Sequence, residues 1–248
     1  MKKNKIVVII PFYNASAYLE RCVSSVLSQK YDNFKAVFID DCSTDNSWEL
    51  LPHNDIRCVC VRNTENLSAL PNIHNAILNY CEKEDICVLL DGDDAFLKKN
   101  TLEYVNSFFE ENNCWIMYGQ FVFSTGGVGF ASAYTEDEFK NIRKSPFKVS
   151  HLRSFKAGLY QKIKEQDSNF SCMKDKDGNF YRISYDVAMF APMLDMCPFE
   201  KVKFNNIPLY LYNFENPISD HIKDQKGQTM THMEIYNKPN FNKIVDYK

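Results

Sequence analysis

Runs of consecutive apolar residues alternate with apolar residues at helical spacing through the first 125 residues. The runs are typical of strands buried on both faces, and they occur at residues 6–10, 36–39, 56–61, 86–90 and 115–123. The helical spacing predicts helices over residues 16–29, 70–81 and 101–111, and a further helix that begins near Ser43. This order predicts an α/β fold with a parallel sheet and helices on both faces.

The chain after residue 123 lacks this regular alternation. Leu152, Phe155, Leu159 and Ile163 predict a helix over residues 151–163. A strongly apolar second helix is predicted over residues 184–197, and short strands over 201–204 and 209–214. The tail that follows is polar.

Three polar clusters follow predicted strands directly. They are Pro11–Asn14, Asp40–Asp41 and Asp91–Asp94. Open parallel sheets bind ligands at the carboxyl ends of their strands. We therefore expect the three clusters to converge in one site, although they are far apart in the sequence.

The segment Asp91-Gly92-Asp93-Asp94 carries the strongest chemical indication. Three carboxylates within four residues repel one another, and a hard divalent cation offsets that repulsion. Gly92 is expected to permit a tight turn that aims the acids into one pocket. A solvated acidic turn before the helix at Thr101 is the alternative, but the preceding buried strand favours a functional site.

The segment from Asp40 to Asp45 also follows a buried strand. A carboxylate there, such as Asp41, can accept hydrogen bonds from a base N–H group or from sugar hydroxyls. Ser43 or Thr44 can cap a helix at the same place, and both roles are compatible. Neither G-x-G-x-x-G nor G-x-x-x-x-G-K-[ST] follows the first strand, which disfavours a dinucleotide-binding fold of that type and a P-loop enzyme.

Composition narrows the function classes further. The 248 residues carry a net charge of −3, which excludes a strongly basic protein that coats nucleic acid. Nine cysteines lie mostly in apolar runs without zinc-ligand spacing, which is typical of buried thiols in a reducing cytosol. The apolar run after Met1–Lys5 is too short for a signal peptide, and no run approaches a membrane span. We expect a cytoplasmic protein without a transmembrane segment.

Residues 5–125 resemble the family 2 glycosyltransferases of the GT-A fold. The resemblance lies in Ile6–Asn14, Asp40–Ser47 and Leu89–Asp94, which match a "V-I-I-P-x-Y-N" strand, a "D-D-x-S-T-D" segment and a "D-x-D-D" turn. A subset of that family is also similar at Tyr185-Asp186, at Pro192–Met196, and at Leu209–Asn213 followed by Asn216-Pro217. The resemblance implies a single continuous GT-A domain with a mostly parallel, Rossmann-like sheet. Residues 1–125 would form its nucleotide-sugar half, and residues 126–248 its acceptor and catalytic-base half.

The resemblance also implies roles for individual residues. Pro11, Tyr13 and Asp41 would hold the base, Asn14 would belong to the same nucleotide-binding group, and Asp91 or Asp93 would contact the ribose. Asp93 is the first choice as metal ligand for Mn²⁺ or Mg²⁺. Asp94 is the alternative, and His221 is a further candidate. Asp186 would be the catalytic base, although a negative charge at a helix N-terminus is also favourable for stability alone.

Two departures from the family pattern bear on the site. Many relatives carry a Gly and an Arg in the segment that matches residues 66–75, where this chain has Leu67, Pro71 and His74. The usual Glu before the catalytic Asp is Tyr185. Arg153 could instead contact the donor diphosphate or the acceptor, or lie on a solvated helix face.

The expected activity is metal-dependent, inverting sugar transfer from a nucleotide sugar, expected to be a UDP-sugar. The expected acceptor is a hydroxyl of a glycan, lipid-linked or protein acceptor; peripheral membrane association is left open, and no nucleic acid is involved. A processive membrane synthase is disfavoured because no Q-x-x-R-W motif is present. The alternatives are a nucleotidyltransferase that makes nucleotide sugars, and a non-catalytic nucleotide- or sugar-binding module.

Overall fold

The computed structural model describes residues 2–216 and 225–248. One mixed sheet contains eight strands of this part of the chain. The strands are β1 (Ile6–Phe12), β2 (Phe34–Asp40), β3 (Cys58–Arg62), β4 (Ile86–Leu89), β5 (Ala95–Phe96), β6 (Ile116–Phe123), β7 (Arg153–Lys156) and β8 (Val202–Tyr212).

Helices cover the sheet and connect its strands. They are α1 (Ser16–Leu27), α2 (Ala69–Tyr80), α3 (Thr101–Asn112), α4 (Glu136–Lys140), α5 (Ala157–Gln161), α6 (Ile163–Gln166), α7 (Tyr185–Met196) and α8 (Gln225–Tyr236). Single 3₁₀ turns lie at Trp48–Leu50, Ile142–Lys144, Ser171–Met173 and Phe199–Lys201.

The first four long strands form the predicted parallel sheet. The strand order is β3-β2-β1-β4-β7-β6-β8-β5. Strand β1 pairs in parallel with β2 and with β4, and β2 pairs in parallel with β3. Every residue of β1 is buried, as its continuous apolar sequence requires in a sheet that is covered on both faces. The predicted α/β class with a mostly parallel sheet is confirmed.

The predicted helix over residues 151–163 is wrong for its first half. Residues Arg153–Lys156 form β7, which lies between β4 and β6 and runs antiparallel to both. The apolar spacing that suggested one helix comes from a short strand followed directly by α5. All four residues of β7 are buried, so Arg153 and Lys156 do not lie on a solvated face.

Two other predicted elements differ from the structure. The two short strands predicted after residue 200 are one strand, β8, whose pairing with β6 shifts register between Gly119 and Phe121. The helix predicted near Ser43 is reduced to the single turn Trp48–Leu50. The side chains of this segment instead bind the backbone at the start of α1: Ser43 Oγ, a predicted cap, accepts from the Asn14 N–H at 2.9 Å, and Asp45 Oδ2 accepts from the Ser16 N–H at 3.0 Å.

The apolar core lies on both faces of the sheet and joins the two predicted halves of the chain. One layer contains Val7 together with Phe190, and the other contains Ile10 together with Tyr210. All nine cysteines are free thiols, and six of them are buried. No helix in the described ranges is long and apolar enough to cross a bilayer.

Candidate active site

A cavity of about 830 Å³ lies where β1, β2 and β4 end. The loops that follow these strands contribute Tyr13, Asp41 and Asp91 to its wall, and the first turn of α7 contributes Asp186. The three polar clusters of the sequence therefore meet in one place, as the carboxyl-end rule predicts.

Asp41 is held by the loop that precedes α2. Its Oδ1 accepts from Asn63 Nδ2 at 2.8 Å and from the Leu67 N–H at 2.9 Å, and its Oδ2 accepts from the Ser68 N–H at 2.8 Å. Three donors fix the carboxylate in a buried position at the cavity wall. A carboxylate has about four lone-pair sites, so it can still accept from a ligand.

The residues after β1 divide into two groups. Pro11 and Tyr13 line the cavity, and Tyr13 is 40% exposed there. Asn14 is not part of the cavity wall. Its Oδ1 accepts from the Thr44 N–H at 2.9 Å, so its side chain ties the first loop to the second.

The end of β8 and the residues after it hold the acidic loop by hydrogen bonds. Asp94 is 1% exposed; its Oδ2 accepts from Tyr210 Oη at 2.5 Å and its Oδ1 from the Asn213 N–H at 2.6 Å. Asp93 Oδ2 accepts from Asn216 Nδ2 at 2.6 Å. The segment Leu209–Asn216 therefore holds Asp93 and Asp94 in place by hydrogen bonds.

Asp91 accepts a hydrogen bond from Tyr185 and lies close to Tyr210, whose single hydroxyl proton is donated to Asp94. Tyr185 Oη donates to its Oδ1 at 2.9 Å, and Tyr210 Oη lies 3.4 Å from its Oδ2. Burial and the neighbouring Asp93 carboxylate raise the pKa of Asp91 to about 6. Burial and the same neighbour also raise the pKa of Asp94 well above its ordinary value. Negative charge is therefore costly in this loop without a cation.

His151 lies beside Asp91 and Asp94. Ligand atoms of Asp91, Asp94 and His151 all lie within 4.8 Å of one another. The imidazole stacks on the Tyr210 ring at 4.4 Å, and burial, with Arg153 nearby, lowers the pKa of His151 well below its ordinary value. Two carboxylates and a neutral imidazole fit a divalent cation. A nitrogen donor suits Mn²⁺ better than Mg²⁺, which prefers oxygen ligands.

Asp186 is ion-paired with Arg153. Arg153 Nη2 donates to Asp186 Oδ2 at 2.6 Å, and the Val187 N–H donates to Asp186 Oδ1 at 2.9 Å. Arg153 Nη1 lies 3.3 Å from Tyr185 Oη, and Tyr185 in turn reaches Asp91. Burial works against the charge, but Asp186 and the other acidic neighbours raise the pKa of Arg153 overall. Tyr185 thus connects the acidic loop to the arginine that holds Asp186.

The sequence model of the family "Glycosyl transferase family 2" matches residues 7–167. The chain belongs to glycosyl transferase family 2. The predicted family is confirmed, and the matched segment reaches from β1 past β7.

Two curated relatives of this glycosyltransferase chain match just under half of its length. Glycosyltransferase GlyG of Streptococcus pneumoniae is 31% identical over 119 residues, which are 46% of this chain and 38% of GlyG. The Escherichia coli UDP-Glc:alpha-D-GlcNAc-diphosphoundecaprenol beta-1,3-glucosyltransferase WfgD is 34% identical over 115 residues, which are 46% of this chain and 44% of WfgD. The match thus spans less than half the length of these relatives.

Solved structures share the fold at low sequence identity. Mannosyltransferase PcManGT from Pyrobaculum calidifontis, solved with GDP-Man and Mn²⁺, gives a TM-score of 0.64 at 15% identity over 96% of this chain and 66% of that chain. Staphylococcus aureus TarS 1–349 with UDP gives 0.63 at 16% identity over 94% of this chain and 64% of that chain. The GT-A fold predicted from the sequence is confirmed.

The predicted site residues of this family 2 glycosyltransferase lie in different places. Asp93, Asp94, Arg153 and Asp186 also line the cavity, whereas His221 lies outside the described residues. His151 and Arg182 line the cavity but were not predicted. His151 stands just before β7, which the sequence pattern presented as a helix. If β7 had been predicted as a strand paired antiparallel with β4, His151 would have been predicted to lie near the acidic loop that follows β4.

Gly92 lies in the predicted turn, which the Asp94 N–H closes by donating to the Asp91 carbonyl at 3.0 Å, but the glycine is required because of the space around it. Its φ lies outside the left-handed region, but a Cβ there would lie 2.4 Å from Phe12 Cβ. We expect Gly92→Ala to lower the free energy of unfolding by about 1–3 kcal/mol, because strand β1 must move to relieve the overlap. Urea denaturation measures this change. An unchanged unfolding free energy would show that the close approach of the acidic loop to β1 is not required.

Proposed function

We propose that the chain is a metal-dependent, inverting glycosyltransferase that moves a sugar from a UDP-sugar to an acceptor hydroxyl. The observation that carries the proposal is the single cavity in which Asp41, the loop Asp91–Asp94 and Asp186 meet. A nucleotide sugar needs a base contact, a cation for its diphosphate and a carboxylate near the reacting carbon. This cavity contains side chains suited to each requirement.

The nucleotide would occupy the wall formed by Pro11, Tyr13 and Asp41. A uracil N3–H can donate to the Asp41 carboxylate, while the Tyr13 ring offers an apolar surface to the base. UDP in the structure of TarS, and the UDP-Glc named for WfgD, support a UDP-sugar donor. Asp91, one strand away, would contact the ribose.

Mn²⁺ would be held in the acidic loop by Asp93 together with Asp94, Asp91 and His151, with His221 as a further candidate. These donors supply the ligand types that such an ion takes. A bound ion acts as a Lewis acid and neutralises charge on the leaving diphosphate. Asp93 is kept at the cavity wall by Asn216, so its carboxylate faces the same region.

Asp186 would act as the general base. Its position in the first turn of α7 and its contact with Arg153 keep the carboxylate in one orientation at the cavity wall. It would take the proton of the acceptor hydroxyl as that oxygen attacks the anomeric carbon. One base without a protein nucleophile means a single displacement, and the sugar configuration is therefore inverted.

The acceptor would be a lipid-linked glycan. WfgD, by its name, acts on a GlcNAc-diphosphoundecaprenol. The protein described here would act on such a lipid-linked acceptor from the cytoplasmic side of the membrane. A nucleotidyltransferase is disfavoured by the family membership. A non-catalytic binding module is disfavoured because it would not need the Asp186 carboxylate that Arg153 holds at the cavity wall.

Binding of UDP in the presence of Mn²⁺ tests the proposal. We expect UDP with Mn²⁺ to raise the melting temperature of the whole chain, and UDP-sugars to be hydrolysed slowly without acceptor. In Asp93→Asn, the asparagine Oδ1 can still accept from Asn216, so the loop remains held while a negative charge is lost. We expect this variant to lose most of the Mn²⁺-dependent stabilisation.

Two results would contradict the proposal. One is the absence of stabilisation by UDP, GDP, ADP and CDP with Mn²⁺ or Mg²⁺. The other is unchanged donor hydrolysis in Asp93→Asn. Asp32→Asn is a suitable control, because Asp32 is exposed and pairs with Lys3 outside the cavity.

A further inference from the structure

The cavity is rich in negative charge. Five carboxylates and two guanidinium groups line it within the described ranges. The carboxylates are those of Asp41, Asp91, Asp93, Asp94 and Asp186. One guanidinium, that of Arg153, is already ion-paired with Asp186. A diphosphate in this cavity is therefore stabilised by any further positive charge, in addition to that of the proposed cation.

Arg182 supplies the second guanidinium. Its side chain is exposed and lines the cavity. Its Nη2 donates to Asn66 Oδ1 at 2.7 Å, and it takes part in no ion pair with the residues that the structure describes. A guanidinium has five N–H donors, so several stay available to a ligand after the bond to the neutral Asn66 amide.

Arg182 and Asn66 lie side by side on the cavity wall but come from segments far apart in the sequence. Arg182 lies three residues before α7, which begins at Tyr185. Asn66 lies next to Leu67 and Ser68, whose N–H groups hold Asp41. Residues 66–75 contain no arginine or lysine of their own. Arg182 therefore places a positive charge beside a segment that has none.

We propose that Arg182 binds a phosphate group of a diphosphate ligand in this cavity. The proposal rests on the proposed function, since it presupposes a nucleotide sugar or a diphosphate-linked acceptor. Guanidinium groups bind phosphate oxygens through two parallel hydrogen bonds. Asn66 orients Arg182 for that contact.

Calorimetric titration of the full chain with UDP and with uridine, both with Mn²⁺, tests the assignment. A hydrogen bond to a charged group contributes about 1.5–3 kcal/mol. We therefore expect Arg182→Gln to raise the Kd of UDP about 10–100-fold and to leave that of uridine unchanged. Arg182→Lys keeps the charge but loses the paired donors, so its Kd for UDP should lie between those of the unaltered chain and of Arg182→Gln. Lys99→Gln removes an exposed positive charge outside the cavity wall and should change neither Kd.

A second titration separates the two sources of the diphosphate. A short isoprenyl diphosphate is added to protein saturated with UDP and Mn²⁺. Weaker binding of UDP assigns Arg182 to the donor, and weaker binding of the isoprenyl diphosphate alone assigns it to the acceptor. Unchanged affinity in both titrations overturns the proposal. If the unaltered chain binds no UDP, the proposed function fails, and the assignment of Arg182 fails with it.

Discussion

Replacement of Asp186 by asparagine is expected to reduce sugar transfer about 10²–10⁴-fold, the usual contribution of a general base. The side chain keeps its size, and its Oδ1 can still accept from the Val187 N–H. The substituted amide cannot take a proton from the acceptor hydroxyl. Transfer is measured at saturating donor and acceptor, and UDP affinity is measured in parallel. We expect UDP affinity to remain near that of the unaltered chain.

The loss of charge in Asp186→Asn also leaves Arg153 without its partner, so stability must be measured separately. Assays well below the melting temperature of the variant remove this effect from the rate. Asp177→Asn is the matched control, because Asp177 is exposed and outside the cavity wall. Loss of UDP binding together with transfer would make Asp186 a structural residue. Unchanged transfer would exclude it as the base.

The parallel half of the fold could be predicted because its pattern is local. A run such as Ile6–Ile10 can be buried on both faces only in a covered sheet. Strand β7 could not be predicted in this way, because its polar groups find partners far along the chain. Arg153 reaches Asp186, and Lys156 Nζ lies 3.3 Å from Asn4 Oδ1 and 3.1 Å from the Glu84 carbonyl oxygen.

The candidate site divides in the same manner. Asp41 and Asp91–Asp94 could be predicted because strand ends converge at one edge of a parallel sheet. His151 and Arg182 could not, since their places depend on the antiparallel insertion of β7 and on a contact with Asn66. The role of Asn216 could not be predicted either, because it depends on a hydrogen bond from its amide to Asp93, which is far away in the sequence.

Replacement of Arg143 by methionine is expected to destabilise the fold by about 3–5 kcal/mol, the usual cost of leaving a buried charge unpaired. Arg143 and Asp195 have side-chain exposures of 7% and 2%, and Arg143 Nη2 donates to Asp195 Oδ2 at 2.6 Å. Arg143 Nη1 also donates to the Ile235 carbonyl at 3.0 Å, which ties α7 to α8. Urea denaturation gives the change in unfolding free energy.

The double variant Arg143→Met, Asp195→Leu separates the unpaired charge from the lost packing. Apolar residues that replace a buried ion pair are often neutral or stabilising. We therefore expect the double variant to be more stable than Arg143→Met, although the Phe241 N–H loses its acceptor at Asp195. Lys140→Met, which breaks an exposed pair with Glu136, should change stability little. The opposite result is a double variant whose loss of unfolding free energy equals the sum of the losses in Arg143→Met and Asp195→Leu. It would show that the pair stabilises the fold through its hydrogen bonds to α8 and to the C-terminal segment. The unpaired charge of Asp195 would then cost little. The same comparison then shows how much the contact of Arg143 with α8 contributes to stability. This matters for the site, because Gln228 and His232 of α8 line the cavity beside Asp186.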